Sequence, residues 1–220
     1  VVIQTSFYID TLMALRKAIS HNKSFKLRNM LMLNEDELLF EDTEEIFWIG
    51  TEDAGLNIFN RQKVEFTCYA YNSDDPRGLN DNTIISICED RTGILWFGSW
   101  NGGVNKYNKF EKKFITYSHS SDDPSSLSAN NIYAIYVDSF GDLWVGTNLY
   151  GLNRRKLGDD KFIHYFNNTN DPYSISHNII NSICEDNKGN IWIGTDGGGL
   201  NRFDRKTNRF TDFRHNPNDP

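Results

Sequence analysis

Apolar and polar positions alternate in short runs along most of this chain, and the runs return at a fixed interval. Residues 131 to 166 show one full set. Ile132, Ala134 and Tyr136 alternate with Tyr133, Ile135 and Val137 before Asp138-Ser139-Phe140-Gly141 breaks the pattern. A second run covers Leu143 to Thr147, a third Leu152 to Lys156 and a fourth Lys161 to Phe166. Asn148 to Gly151 and Gly158 to Asp160 separate them. A period of two, bounded by Gly, Asn and Asp, predicts four β-strands joined by tight turns. No helical period runs through this part of the chain.

The set repeats. Trp48-Ile49-Gly50-Thr51 returns as Trp96-Phe97-Gly98-Ser99, Trp144-Val145-Gly146-Thr147 and Trp192-Ile193-Gly194-Thr195, a step of 48 residues each time. Gly55-Leu56-Asn57 returns in the same register as Gly103-Val104-Asn105, Gly151-Leu152-Asn153 and Gly199-Leu200-Asn201. Asp74-Asp75-Pro76, Asp122-Asp123-Pro124, Asn170-Asp171-Pro172 and Asn218-Asp219-Pro220 close the four units. One four-stranded meander cannot bury both of its faces. Copies set side by side around an axis can, which is the propeller arrangement. The expected fold is therefore all-β, a β-propeller of four-stranded antiparallel blades. Residues 39–220 carry the four visible repeats, as a partial propeller or one assembled with another chain.

Residues 1–38 form an atypical N-terminal segment. Val1 to Ile9 reads as a strand, and Thr11 to Ser20 as a short helix with Asp10 as its N-cap. Repeat 1 is degenerate at its front: Asn34-Glu35-Asp36 replaces the usual Asn-x-Ile, and Glu45 replaces Gly93, Gly141 and Gly189. Terminal repeats are often atypical because they cap or close an array. Val1 to Ile9 is expected to pair with an open sheet edge, in this chain or a neighbour. The opening Val1 suggests a processed or trimmed end.

Composition narrows the function. Of 220 residues, 14% are aromatic, enough for large rings between packed sheets. The net charge of −7 argues against binding nucleic acid through its phosphates. No apolar run is long enough to span a membrane. Cys88 and Cys184 share a repeat position two blades apart, too far for a disulfide, and Cys68 falls in an outer strand. The five histidines do not converge, so no metal and no cofactor are expected. No nucleophile elbow, zinc signature or phosphate loop is present. The pairs Glu89-Asp90 and Glu185-Asp186 recur with the repeat and read as turn formers rather than an acid–base pair.

Most recurring residues read as scaffold. Trp48, Trp96, Trp144 and Trp192 occupy one strand position and are expected to fill the space between blades, each worth about 3–5 kcal/mol against truncation to Ala. The recurring glycines read as tight-turn positions, and the Asp-Pro loops as turns whose Asp caps backbone amides.

The run Ile183 to Thr195, with Gly199-Leu200-Asn201-Arg202-Phe203-Asp204, resembles the two-component-regulator propeller repeat, as does the stretch from Ile87 to Asn108. The resemblance covers about residues 39–220. Proteins of that family are typically large membrane sensors, especially hybrid histidine kinases of gut Bacteroidetes, with tandem propellers in their extracytoplasmic half. The resemblance implies a non-enzymatic, periplasmic sensing module for an oligosaccharide or other small ligand, and implies that the chain is a fragment or a protein reusing only the repeat. Two alternatives stay open: a scaffold that self-associates through open blade edges, and a propeller lyase or glycosidase. Propeller ligands collect on the loops of one face. There the copies disagree: Trp100 replaces Glu52, Asn148 and Asp196, and Tyr150 replaces Ala54, Gly102 and Gly198. Trp100 and Tyr150 are the candidate stacking platform, with Asn101, Asn148 and Asp196 as polar contacts. Packing against a neighbouring loop or chain is the competing account of both rings.

Overall fold

The structure, a computed structural model, describes residues 38–60 and 65–215. The expected strand Val1 to Ile9, the helix Thr11 to Ser20, the front of repeat 1 and the closing Asn218-Asp219-Pro220 lie outside the described residues. The rest forms four antiparallel sheets, each a meander of four strands in chain order. Blade 1 holds β1 (Leu38–Glu41), β2 (Phe47–Gly50), β3 (Leu56–Asn60) and β4 (Glu65–Tyr69). Blade 2 holds β5 (Ile84–Glu89), β6 (Leu95–Ser99), β7 (Val104–Asn108) and β8 (Lys113–Tyr117). Blade 3 holds β9 (Ile132–Val137), β10 (Leu143–Thr147), β11 (Leu152–Arg155) and β12 (Phe162–Tyr165). Blade 4 holds β13 (Ile180–Glu185), β14 (Ile191–Thr195), β15 (Gly199–Asp204) and β16 (Arg209–Phe213). The first strands neighbour one another in succession, β1 beside β5, β5 beside β9 and β9 beside β13, so they line the axis of an open, partial propeller. Among the described residues no helix is long and apolar enough to cross a membrane.

The first turn of each blade is built by one aspartate. Asp90 Oδ1 accepts the amides of Thr92 (2.8 Å) and Ile94 (3.1 Å). Its Oδ2 accepts the indole N–H of Trp96 at 3.1 Å. Asp42, Asp138 and Asp186 hold Trp48, Trp144 and Trp192 in the same way, at 2.8, 2.6 and 2.9 Å. The turn needs a left-handed residue, supplied by Gly93, Gly141 and Gly189 at φ near 80°. In blade 1 Glu45 takes that conformation at φ 62°, a strained state for a residue with a Cβ.

Successive side chains on the second strand point to opposite sheets. On β6, Leu95 and Phe97 join the blade 1/2 core, whereas Trp96 joins the blade 2/3 core. Trp48 packs against Phe97 and Tyr107 of the next blade, and Trp144 against Phe203. Gly98 and Gly146 share a face with Trp96 and Trp144. A Cβ on Gly98 would lie 2.7 Å from Ile132 Cγ2, and one on Gly146 2.5 Å from Ile180 Cγ2. These glycines set the spacing between blades and are not turn residues, a correction to the sequence reading. Gly55, Gly103 and Gly151 do sit in turns at positive φ, as expected, and Gly199 holds the same conformation where β15 begins.

Glu89 and Glu185 also depart from the turn reading. Glu89 accepts the Thr43 amide (2.7 Å) and hydroxyl (2.9 Å) of blade 1, and Glu185 accepts the same two groups of Ser139 of blade 3. A cation from the third turn completes each clamp. Lys109 Nζ lies 3.0 Å from Asp42 and 2.9 Å from Glu89, and Arg205 lies 2.7 Å from Asp138 and 3.6 Å from Glu185. The 2/3 interface has Val137 in the glutamate's place and Leu157 in the cation's. There Arg155 lies over the rings of Trp96 (5.4 Å) and Tyr117 (5.1 Å) instead. The three cysteines are free thiols.

Two outcomes test this account. Gly146→Ala is expected to lose about 1–3 kcal/mol by overpacking against Ile180, and Glu45→Gly to gain about 1 kcal/mol by relieving the left-handed strain, both read by urea denaturation. Burial opposes ionisation of Asp42, but the indole of Trp48, the Ile46 amide and Lys109 outweigh it and keep its pKa low. The Trp192 indole and the Asn190 side chain hold Asp186 well below the usual carboxylate range. Carboxyls depressed in the fold add stability above the unfolded value of about 3.9 and lose it as pH falls through the folded pKa. The melting temperature should therefore drop between about pH 4 and pH 2, and less steeply in Asp42→Asn.

Candidate functional site

The second-to-third strand loops and the long inter-blade connections meet on one face. In blades 2, 3 and 4 the buried asparagine of the Gly-x-Asn string ties them together. Asn105 Oδ1 accepts the Asn80 amide at 3.2 Å, Asn153 that of Ser128 at 2.9 Å, and Asn201 that of Ser176 at 2.9 Å. Each short loop is also fastened to the next long loop: Gly55 N donates to Asn82 O, Gly103 N to Asn130 O and Gly151 N to Asn178 O. The aspartates of the Asp-Pro loops cap amides two residues on, as expected: Asp75 for Arg77, Asp123 for Ser125 and Asp171 for Tyr173. The long connection then pins the outer strand of the blade it enters. Phe114 N donates to Arg77 O, Phe162 N to Ser125 O and Phe210 N to Tyr173 O. Loop side chains on this face thus stand on a fixed backbone.

A cavity of about 480 Å³ opens between the loops of blades 1 and 2. Trp100 and Asn101 form one wall, Glu52 and Asp53 the other, and Asp81 and Thr83 lie between, over an apolar floor of Ile84 and Ile85. Trp100 N donates to Thr83 O at 3.0 Å, and Asn101 N to Asp81 Oδ2 at 2.6 Å. Thr83 Oγ1 bridges to Asp53, accepting its amide at 3.2 Å and donating to Oδ1 at 3.3 Å. Asp53 holds φ 65°, a left-handed conformation Asp tolerates better than most residues. The Trp100 ring is 39% exposed and stacks on Tyr133, with centroids 5.7 Å apart and planes at 29°.

Tyr133 reaches Trp100 because of a bulge. In blades 2, 3 and 4 the inner strand pair slips by one residue at its loop end, leaving Ile85, Tyr133 and Asn181 unpaired. A bulge turns its extra side chain out of the regular alternation. The sequence-predicted residues are thus only partly gathered. Trp100 and Asn101 line the cavity. Asn148 and Tyr150 stand on the blade 3 loop, Tyr150 54% exposed with its carbonyl accepting from Ser128 Oγ. Asp196 is exposed on blade 4, its amide bonded to Ile179 O. Tyr133, rather than Tyr150, is the ring against Trp100. Sequence reasoning missed Tyr133, Asp81 and Thr83. Disagreement between copies could have found them: Tyr133 aligns with Ile85 and Asn181, Asp81 with Ala129 and His177, and Thr83 with Asn131 and Ile179.

The site offers one aromatic face, three carboxylates and an apolar floor. That set suits a ligand with hydroxyls to donate and a C–H face to stack. Among the described residues no three His, Cys, Asp or Glu side chains converge as a metal site.

Comparison with known proteins places the repeat. The family model described as two component regulator propeller matches residues 78–101, 126–149 and 174–197, in the second, third and fourth repeats. Each matched stretch runs through the inner strand pair to the loop that carries Trp100 in blade 2. The extracellular domain of a putative hybrid two component system of B. thetaiotaomicron is 28% identical, with TM-score 0.69 over 79% of this chain and 22% of that one. A second such domain from the same organism is 26% identical, with TM-score 0.64 over 80% of this chain and 24% of that one. The chain thus spans less than a quarter of either relative. Virginiamycin B lyase from Staphylococcus aureus, 18% identical with TM-score 0.60 over 86% of this chain and 59% of that one, shares the fold. No curated protein matches. Three of the four repeats thus match the two component regulator propeller model in register, at the same 48-residue step, and the chain is similar in fold to extracellular domains of two component systems.

Proposed function

We propose that this chain is the ligand-sensing propeller of an extracytoplasmic sensor, and that it holds a small oligosaccharide, without turning it over, in the cleft beside Trp100. The single observation that carries this reading is the Trp100 ring itself. It is backed by Tyr133 on one face, open on the rest, and set among Asp53, Asp81 and Glu52. A sugar stacks its C–H face on such a ring and donates hydroxyls to carboxylates. Similarity to extracellular domains of two component systems supports both the sensing role and the compartment. A neutral glycan also suits a chain of net charge −7 better than an anionic one at this acidic cleft.

A panel of neutral oligosaccharides should contain a member that raises the melting temperature and changes tryptophan fluorescence. For that member Trp100→Ala is expected to weaken binding by at least about tenfold, or 1.4 kcal/mol, and Asp81→Asn by less. An affinity unchanged in Trp100→Ala removes the cleft from the account.

A second reading, self-association, rests on the free side of blade 4. Leu200 and Phe213 are 42% and 47% exposed, whereas Val104, the blade 2 counterpart of Leu200, is fully covered by blade 3. Exposed sheet faces of this kind favour a further blade. Sedimentation should then show a mass rising with concentration; a constant monomer mass rejects it.

A further inference from the structure

The turns joining first to second and third to fourth strands gather on the opposite face. There the two clamped interfaces are built alike. Lys109 serves blades 1/2 and Arg205, 96 residues on, serves blades 3/4. Around this common frame the side chains diverge. Glu44, Thr92 and Phe110 in the first interface become Phe140, Lys188 and Lys206 in the second, while Lys106 becomes Arg202. Asn108 likewise becomes Asp204, so relative to its counterpart the second cleft has exchanged one anion for another and gained two cations. The frame needs neither change, because the first interface folds without them.

The result is a basic cavity of about 640 Å³ on a chain whose net charge is −7. Its walls are Phe140, Lys188, Arg202, Arg205 and Lys206. The carboxylates beside it are engaged by neighbouring groups. Asp138 is taken by Arg205 and the Trp144 indole, and Glu185 by Ser139 and Arg205. Asp204, the one acidic lining residue, accepts the amides of Lys206 (2.8 Å) and Thr207 (3.4 Å). Among the described residues Lys188, Lys206 and Arg202 enter no ion pair with any carboxylate. Phe140 is 63% exposed, with the Arg205 guanidinium 4.6 Å from its ring centre. Phe140 thus leaves an apolar ring largely in water beside three cations that pair with no carboxylate.

We propose that this cleft is an oxyanion site. A phosphate, sulfate or carboxylate sits among Lys188, Arg202 and Lys206, and a ring or other apolar part of the same ligand lies on Phe140. Arg205 is saturated by the inner carboxylates and acts as the cleft's rigid floor. The excess charge comes from the residues around it, which draw anions at low ionic strength and are screened by salt. The site lies on the face opposite Trp100 and stands or falls independently of the sugar cleft.

The test is calorimetric titration of the full chain with phenyl phosphate, phenyl sulfate, benzoate, inorganic phosphate and phenol at low salt. At least one of the three aryl anions should saturate, the tightest naming the head group. Inorganic phosphate should bind more weakly than phenyl phosphate, and phenol not at all. Lys188→Gln with Lys206→Gln should weaken the best ligand by about tenfold, the combined effect of two exposed charge pairs. Phe140→Ser should bring phenyl phosphate down to the level of inorganic phosphate. Lys106→Gln, at the counterpart position in blade 2, should leave affinity unchanged. No saturation up to about 10 mM, or equal affinity in the double lysine variant, overturns the proposal.

Discussion

A single carboxylate per blade holds the structure together. In Asp90 one oxygen takes the amides that close the first turn, and the other takes the indole N–H of Trp96. Buried beside an apolar core without that acceptor, an indole N–H would cost about 1–3 kcal/mol. The turn and the core therefore form together or not at all. In blades 1 and 3 the same oxygen also meets a cation from the next blade, Lys109 at Asp42 and Arg205 at Asp138. One functional group thereby links hairpin, inter-blade core and blade-to-blade contact.

That arrangement makes the interfaces unequal. The 1/2 and 3/4 contacts are clamped by ions, whereas Arg155 stacks on Trp96 and Tyr117 at the 2/3 contact. The 48-residue unit is therefore a unit of backbone, and the unit of side-chain chemistry is two blades. Both kinds of contact bury large rings against a mid-strand glycine, which lets inner strands approach where Gly98 meets Ile132 and Gly146 meets Ile180.

A scaffold repeated so strictly leaves little room for function in the residues it repeats. On the loop face, buried asparagines and Asp-Pro turns hold the backbone, so that side chains such as Trp100 and Asp81 can vary freely above it. On the opposite face the clamp holds the frame, and Phe140, Lys188 and Lys206 vary around it. Both clefts lie between blades, where loops of two sheets converge and a concavity is unavoidable.

The repeat, the four strands of each blade and the place of Trp48, Trp96 and Trp144 between blades were legible in the sequence, because strand period and turn chemistry are local, whereas Trp192 is half-buried against Phe213 of its own blade. The reading of Leu143 to Thr147 as a strand matches β10 to the residue, and the departure of Trp100 from the other copies pointed to one wall of the loop-face cleft. Tertiary structure decided what depends on two sheets at once. Gly146 looks like a turn residue until Ile180 of the next blade is set against it. Tyr133 looks like a regular strand position until a one-residue slip in the pairing turns it toward Trp100. Glu89 and Glu185 look like parts of their own turns until the neighbouring blade brings Thr43 and Ser139 within hydrogen-bond range. Periodicity encodes which way a side chain faces along its own strand. What it meets there is set by the distance and angle between blades, and those come only from packing.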